Sequence, residues 1–172
     1  MRKVILGSIL VAGLACGLTG IGLTQGADKA DKGSAMSIEG TYVLKERVMS
    51  DGSVRTGPDV GGMMTYTKSQ RQLNVFWKNP DGSISSRSLV TEYKLTGNEY
   101  VETSHFLVDQ NLMGEDLKTT MAQETGTGNV TVKGKQVQID MPLFGEPVLT
   151  VTPDGLTANM EGQWVDHWDK VK

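Results

Sequence analysis

At 172 residues, 38% hydrophobic and 22% charged, the chain has the make-up of an ordinary folded protein with room for one core, neither disordered nor fibrous. Its net charge of −3 and the lack of any Lys/Arg cluster after Lys3 exclude a nucleic-acid partner, because phosphate backbones are gripped by basic stripes that release counterions. With Cys16 as its one cysteine, the chain has no internal disulfide and is stable through its core alone.

Arg2 and Lys3 precede an uncharged apolar stretch from Val4 to about Leu23, an order of charge and apolar run that reads as an export signal. Residues 1–26 are a signal peptide or a membrane anchor, since the run approaches the ~20 residues needed to span a bilayer. Three fates stay open: cleavage near Gly26, retention as an anchor, and lipidation. For the last, Gly13-Leu14-Ala15-Cys16 resembles a bacterial lipoprotein box, with Gly13 where that box usually carries Leu and with Cys16 as the acylated residue. The protein is therefore expected in the periplasm, secreted or held at the envelope. It would touch a membrane only through this segment or a lipid on Cys16. Residues 27–37, small and charged without periodicity, form a flexible tether, and one domain spans 38–172.

From Ile38 onward, short alternating segments are separated by Gly, Asn, Asp and Pro, the pattern of half-buried strands joined by tight turns. Tyr42, Leu44 and Val48 alternate with Lys45 and Arg47 before Ser50-Asp51-Gly52-Ser53 turns the chain. After Gly57-Pro58 and Gly61-Gly62, a strand runs from Met64 to Thr67. Leu73, Val75 and Trp77 share one face of the next, and Asn79-Pro80-Asp81-Gly82 reverses it. Ile84 to Leu95 and Glu99 to Val108 form a hairpin about Thr96-Gly97-Asn98. Asp109 to Gly114 reads as a loop, Leu117 to Ala122 as a strand, and Glu124 to Gly128 as a turn. Val130 and Val132 pair with Val137, Ile139 and Met141 across Lys133-Gly134-Lys135. Leu149-Val151 and Trp164-Lys170 complete the set. Roughly nine strands at this spacing, with sequential hairpins and no long crossover, predict an all-β, closed antiparallel up-and-down barrel of about 8–10 strands.

Several of these segments resemble bacterial lipocalin-like domains. Ile38-Glu39-Gly40-Thr41-Tyr42-Val43-Leu44 resembles the opening Gly-x-Trp strand, with Tyr42 in place of tryptophan. Gly62-Met63-Met64-Thr65-Tyr66-Thr67, leading to Arg71, is similar to the Gly-x-x-x-Tyr-Thr strand and turn. Leu112-Met113-Gly114, Lys133-Gly134-Lys135-Gln136-Val137 and the terminal Trp168-Asp169-Lys170-Val171 resemble the second half of the same domain in order and spacing. The resemblance implies a calycin-type barrel whose central cavity takes an apolar small molecule, and it implies no catalytic residues.

Chemistry-bearing motifs are sparse. His105 and His167 lie far apart, with no metal-ligand spacing around His105, so no metal or other cofactor is expected. No Gly-x-Ser-x-Gly elbow is present, and the cysteine sits in the leader. Glu92, Glu99 and Glu102 are in principle a carboxylate pair at a cavity mouth, but charges in strands normally face water, and they are read that way here. Gly126-Thr127-Gly128-Asn129 opens no helix and is a turn rather than a phosphate cradle. The candidate cavity lining consists of Tyr66, Trp77, Tyr93, Phe106 and Trp164, with Arg71 or Tyr93 orienting a ligand.

The leading expectation is a non-enzymatic, monomeric, extracytoplasmic protein that carries a small hydrophobic molecule. A filled barrel acting as an envelope interaction module through Asp51–Gly62 and Asp109–Gly114 is the alternative. A lipid-acting enzyme is the third, and it would need a buried, unpaired carboxylate or histidine inside the barrel.

Overall fold

The computed structural model describes residues 37–112 and 115–172, so the leader, Cys16 and nearly all of the tether lie outside the described residues. Twelve strands follow one another: β1 (Gly40–Met49), β2 (Val54–Arg55), β3 (Val60–Tyr66), β4 (Gln70–Lys78), β5 (Ile84–Leu95), β6 (Glu99–Leu112), β7 (Glu115–Thr120), β8 (Thr125–Lys133), β9 (Gln136–Ile139), β10 (Val148–Val151), β11 (Gly155–Met160) and β12 (Trp164–Lys170). There is no helix among the described residues.

Every pairing is antiparallel between neighbours in the path β1-β3-β4-β5-β6-β8-β9-β10-β11-β12. Pairing of β12 with β1, from Tyr42 opposite Lys170 to Met49 opposite Trp164, closes the ring. Ten strands thus form the expected closed up-and-down barrel, and closure removes the free edges that an open sheet of this size would expose. β2 and β7 lie outside the path, β2 pairing with the far end of β1 and β7 with the far end of β6.

Alternation builds the wall as the sequence suggests. Arg71, Leu73, Val75 and Trp77 point inward from β4 while Gln72, Asn74 and Phe76 face out, and Met64, Leu73, Leu89 and Leu107 form an apolar girdle through direct cross-strand register. The local differences are informative. The expected loop Asp109–Gly114 is, in its described part, the end of β6. The expected turn Glu124–Gly128 mostly belongs to β8, and β11 fills a stretch assigned to no strand.

Two bulges shift the inside–outside phase. Between Leu44 and Glu46 the register of β1 slips by one residue, so Arg47 rather than Val48 enters the barrel, overturning the simple alternation along this strand. Opposite Val90 and Thr91, His105 is the extra residue of β6, so Tyr100, Glu102 and Ser104 point inward below it and Leu107 and Asp109 above it. An unpaired extra residue flips all later side chains to the opposite face.

One end of the barrel is closed. Ile38 is buried beneath it and accepts, through its carbonyl, a hydrogen bond of 2.9 Å from the Tyr42 hydroxyl. Tyr42, Tyr66, Tyr93 and Tyr100 form a chain of rings with centroids 6.4, 5.4 and 5.4 Å apart, two edge-to-face contacts and one stack. The Tyr93 hydroxyl donates to the Thr67 carbonyl at 2.6 Å. Burial pushes it up to about 12, and it raises the Tyr66 and Tyr100 hydroxyls further, so this end carries no tyrosinate at neutral pH.

Candidate functional site

Toward the other end the interior opens into a cavity of about 310 Å³. Its apolar wall includes Met64, Leu73, Val75, Leu149, Ala158 and Trp168. Gly62 makes room for this arrangement: a Cβ there would stand 2.7 Å from the Asn74 carbonyl oxygen and 3.1 Å from the Trp168 indole. The lining is not wholly apolar, because three arginines also border the space.

Arg47, aimed inward by its bulge, donates from Nε and Nη2 to the two carboxylate oxygens of Asp166 at 2.6 and 2.8 Å. Its guanidinium carbon sits 3.9 Å from the centre of the Trp164 ring and 5.0 Å from that of Trp77. A guanidinium is planar and weakly hydrated, so a bidentate carboxylate and two aromatic faces suit it well. Burial raises the Asp166 carboxyl above the ordinary range, and the Arg47 hydrogen bonds oppose that shift. Arg87 makes a second two-pronged pair, with Asp109, at 2.8 Å for both bonds, and donates to the Phe144 carbonyl at 3.1 Å.

Arg71 lies deepest, 1% exposed, and meets two carboxylates. Its Nη1 donates to Glu102 Oε1 at 2.8 Å and to Glu146 Oε2 at 3.1 Å, and its Nη2 pairs with Glu146 Oε1. Glu102 Oε1 also accepts from the Thr91 hydroxyl at 2.6 Å and the Tyr100 hydroxyl at 3.1 Å. Burial raises the Glu102 carboxyl, Arg71 pulls it back, and Glu146 adds to the rise. Burial works against the charge on Arg71, but Glu146, Tyr66 and Glu102 more than offset it and hold it well above its ordinary value. The exposed-face reading of Glu102 is thereby overturned, whereas Glu92 and Glu99 do face solvent.

Glu146 arrives from the connection between β9 and β10, which folds inward. Leu143 is buried, Phe144 packs against the core at φ 56°, and Gly145 follows at φ 60°. Phenylalanine has no local reason to adopt left-handed backbone, so the inward contacts hold it there.

No family model, curated protein or solved structure matches the chain. The closed antiparallel barrel itself is consistent with a calycin-like fold.

Of the residues singled out from sequence, Arg71, Trp77 and Trp164 border the cavity. Tyr66 and Tyr93 belong to the closed end, and the Tyr93 hydroxyl is occupied by Thr67. Phe106 is half-buried beside the β6 bulge and does not border the cavity. Sequence reasoning missed Arg47, Arg87, Glu146, Asp166 and Trp168. Glu102 does not border the cavity, and its accepting oxygen already has three donors, so it is a fixed counter-ion for Arg71 rather than a group in reach of a substrate. Among the described residues no cluster of three or more His, Cys, Asp or Glu is arranged to hold a metal ion.

Proposed function

We propose that this chain is an exported lipocalin-like protein that binds a small, mainly apolar molecule at the open end of the barrel. One observation carries the reading: an internal cavity of about 310 Å³ beneath the open rim, walled largely by Met64, Leu73, Leu149, Trp164 and Trp168. Moving apolar ligand surface out of water into such a preformed space is the driving force, and the few polar groups fix orientation. The volume is at the small end of the roughly 300–1,000 Å³ typical of small-molecule sites, which favours one short chain or a small ring system over a lipid with two long tails. Export rests on Arg2, Lys3 and the apolar run that follows them.

Native mass spectrometry of the full chain purified from its own host tests the proposal. The expected result is a small-molecule adduct that is released on unfolding and reduced by Trp168→Ala. A bare protein mass, together with no quenching of tryptophan fluorescence by any of a set of short-chain amphiphiles, overturns it.

A further inference from the structure

Arg71 holds two carboxylates of unequal standing. Glu102 comes from the barrel wall and is fixed by Arg71, Thr91 and Tyr100. Glu146 comes from a loop, and its carboxylate has Arg71 as its sole side-chain partner among the described residues. One guanidinium needs one counter-charge, so Glu102 is the permanent partner and Glu146 is replaceable. Both Arg71 and Glu146 border the cavity.

We propose that Arg71 is an anion subsite, that Glu146 occupies it as an internal stand-in, and that the ligand is an amphiphile with a carboxylate head that takes the place of Glu146. This rests on the carrier reading and assigns the ligand class to its cavity. Exchanging one carboxylate for another leaves the charge of the buried cluster unchanged, which matters because an uncompensated charge there is costly. Arg71 Nε is buried with no partner among the described residues, as is Glu102 Oε2, so Glu146 leaves one donor of the guanidinium unused. The apolar tail then lies along Met64, Leu73 and Trp168, while Arg47 and Asp166 keep their mutual pairing nearer the rim.

The test compares octanoate with octanol, probes that share a chain and differ in head group, by isothermal titration of the full chain and of Glu146→Gln. The wild type should bind octanoate more tightly than octanol. Glu146→Gln, which keeps shape but weakens the internal competitor, should tighten octanoate about tenfold and leave octanol unchanged, a charged hydrogen bond having been traded for a neutral one. Should that variant fail to fold, amide exchange in the wild type decides: octanoate, unlike octanol, should accelerate exchange over residues 143–146. Equal affinities for the two probes, or exchange that slows under octanoate, overturns the anion subsite and leaves the apolar carrier standing. Binding of neither probe to either protein overturns both.

Discussion

The two ends of this barrel solve the problem of a filled interior in opposite ways. At the closed end four tyrosines pack ring against ring over Ile38, and the hydroxyls of Tyr42 and Tyr93 are spent on backbone carbonyls. At the open end the interior is part void and part charge, with Arg47, Arg71 and Arg87 each tied to acids. Aromatic packing of the first kind stabilises, because it buries large apolar surfaces, with the Tyr66 hydroxyl the one of the four left without a partner among the described residues. Buried ion pairs of the second kind roughly break even against apolar residues of similar size, since desolvation offsets the attraction. A fold under selection for stability alone has no need of three of them around one cavity. That difference supports the proposed placement of the binding site at the open end.

The sharpest way to break this comparison is at Arg47 and Asp166, where the largest effect is expected. Asp166→Ala leaves a buried guanidinium without its counter-charge, and it should cost roughly 3–5 kcal/mol in urea unfolding. The double change Arg47→Met with Asp166→Leu removes both charges and should recover most of that loss, with a denaturation midpoint close to wild type. If the double variant is as unstable as the single one, the pair is structural, and the contrast between the two ends fails.

Next in size is the pH response of the Arg71 layer. Burial raises the Glu102 carboxyl, so the folded protein holds that proton more tightly than the unfolded chain does. The resulting stability is fully present below the ordinary glutamate pKa of about 4.3 and is lost as pH rises through the raised value. Asp166, also raised by burial, adds to the same trend. Glu102→Gln, neutral at every pH, should therefore melt nearer to wild type in mild acid and gain on it as pH rises. A melting-temperature difference between the two proteins that stays flat across this window would show that Glu102 titrates normally and that the layer is not strained by charge.

How much of this was legible before the fold was known follows from the same residues. The barrel was readable because alternation and turn chemistry agree along most of the chain: Leu73, Val75 and Trp77 on one face, then Asn79-Pro80-Asp81-Gly82. The charged interior was hidden by bulges. In β1 nothing in Tyr42, Leu44 and Val48 hints that the phase slips and admits Arg47. In β6 a signal did exist, since Tyr100 and Leu107 cannot share a face without an extra residue between them, and the same phase that buries Tyr100 buries Glu102. Glu146 lay beyond pattern reasoning altogether. A loop carries no period, and its inward path is set by Arg71 and Arg87, distant in sequence.

The smallest effect sharpens the comparison from the closed end. Tyr42→Phe keeps the ring that meets Tyr66 and deletes only the bond to the Ile38 carbonyl, which should cost about 1 kcal/mol, the net worth of a typical hydrogen bond. The carbonyl left behind is buried with Ile38, so the loss should not fall much below that figure. Octanoate affinity should stay unchanged, because Tyr42 does not border the cavity. A Tyr42→Phe protein of wild-type stability but weakened binding would reverse the assignment, making the tyrosine end the one that senses ligand and the charged end mere scaffold.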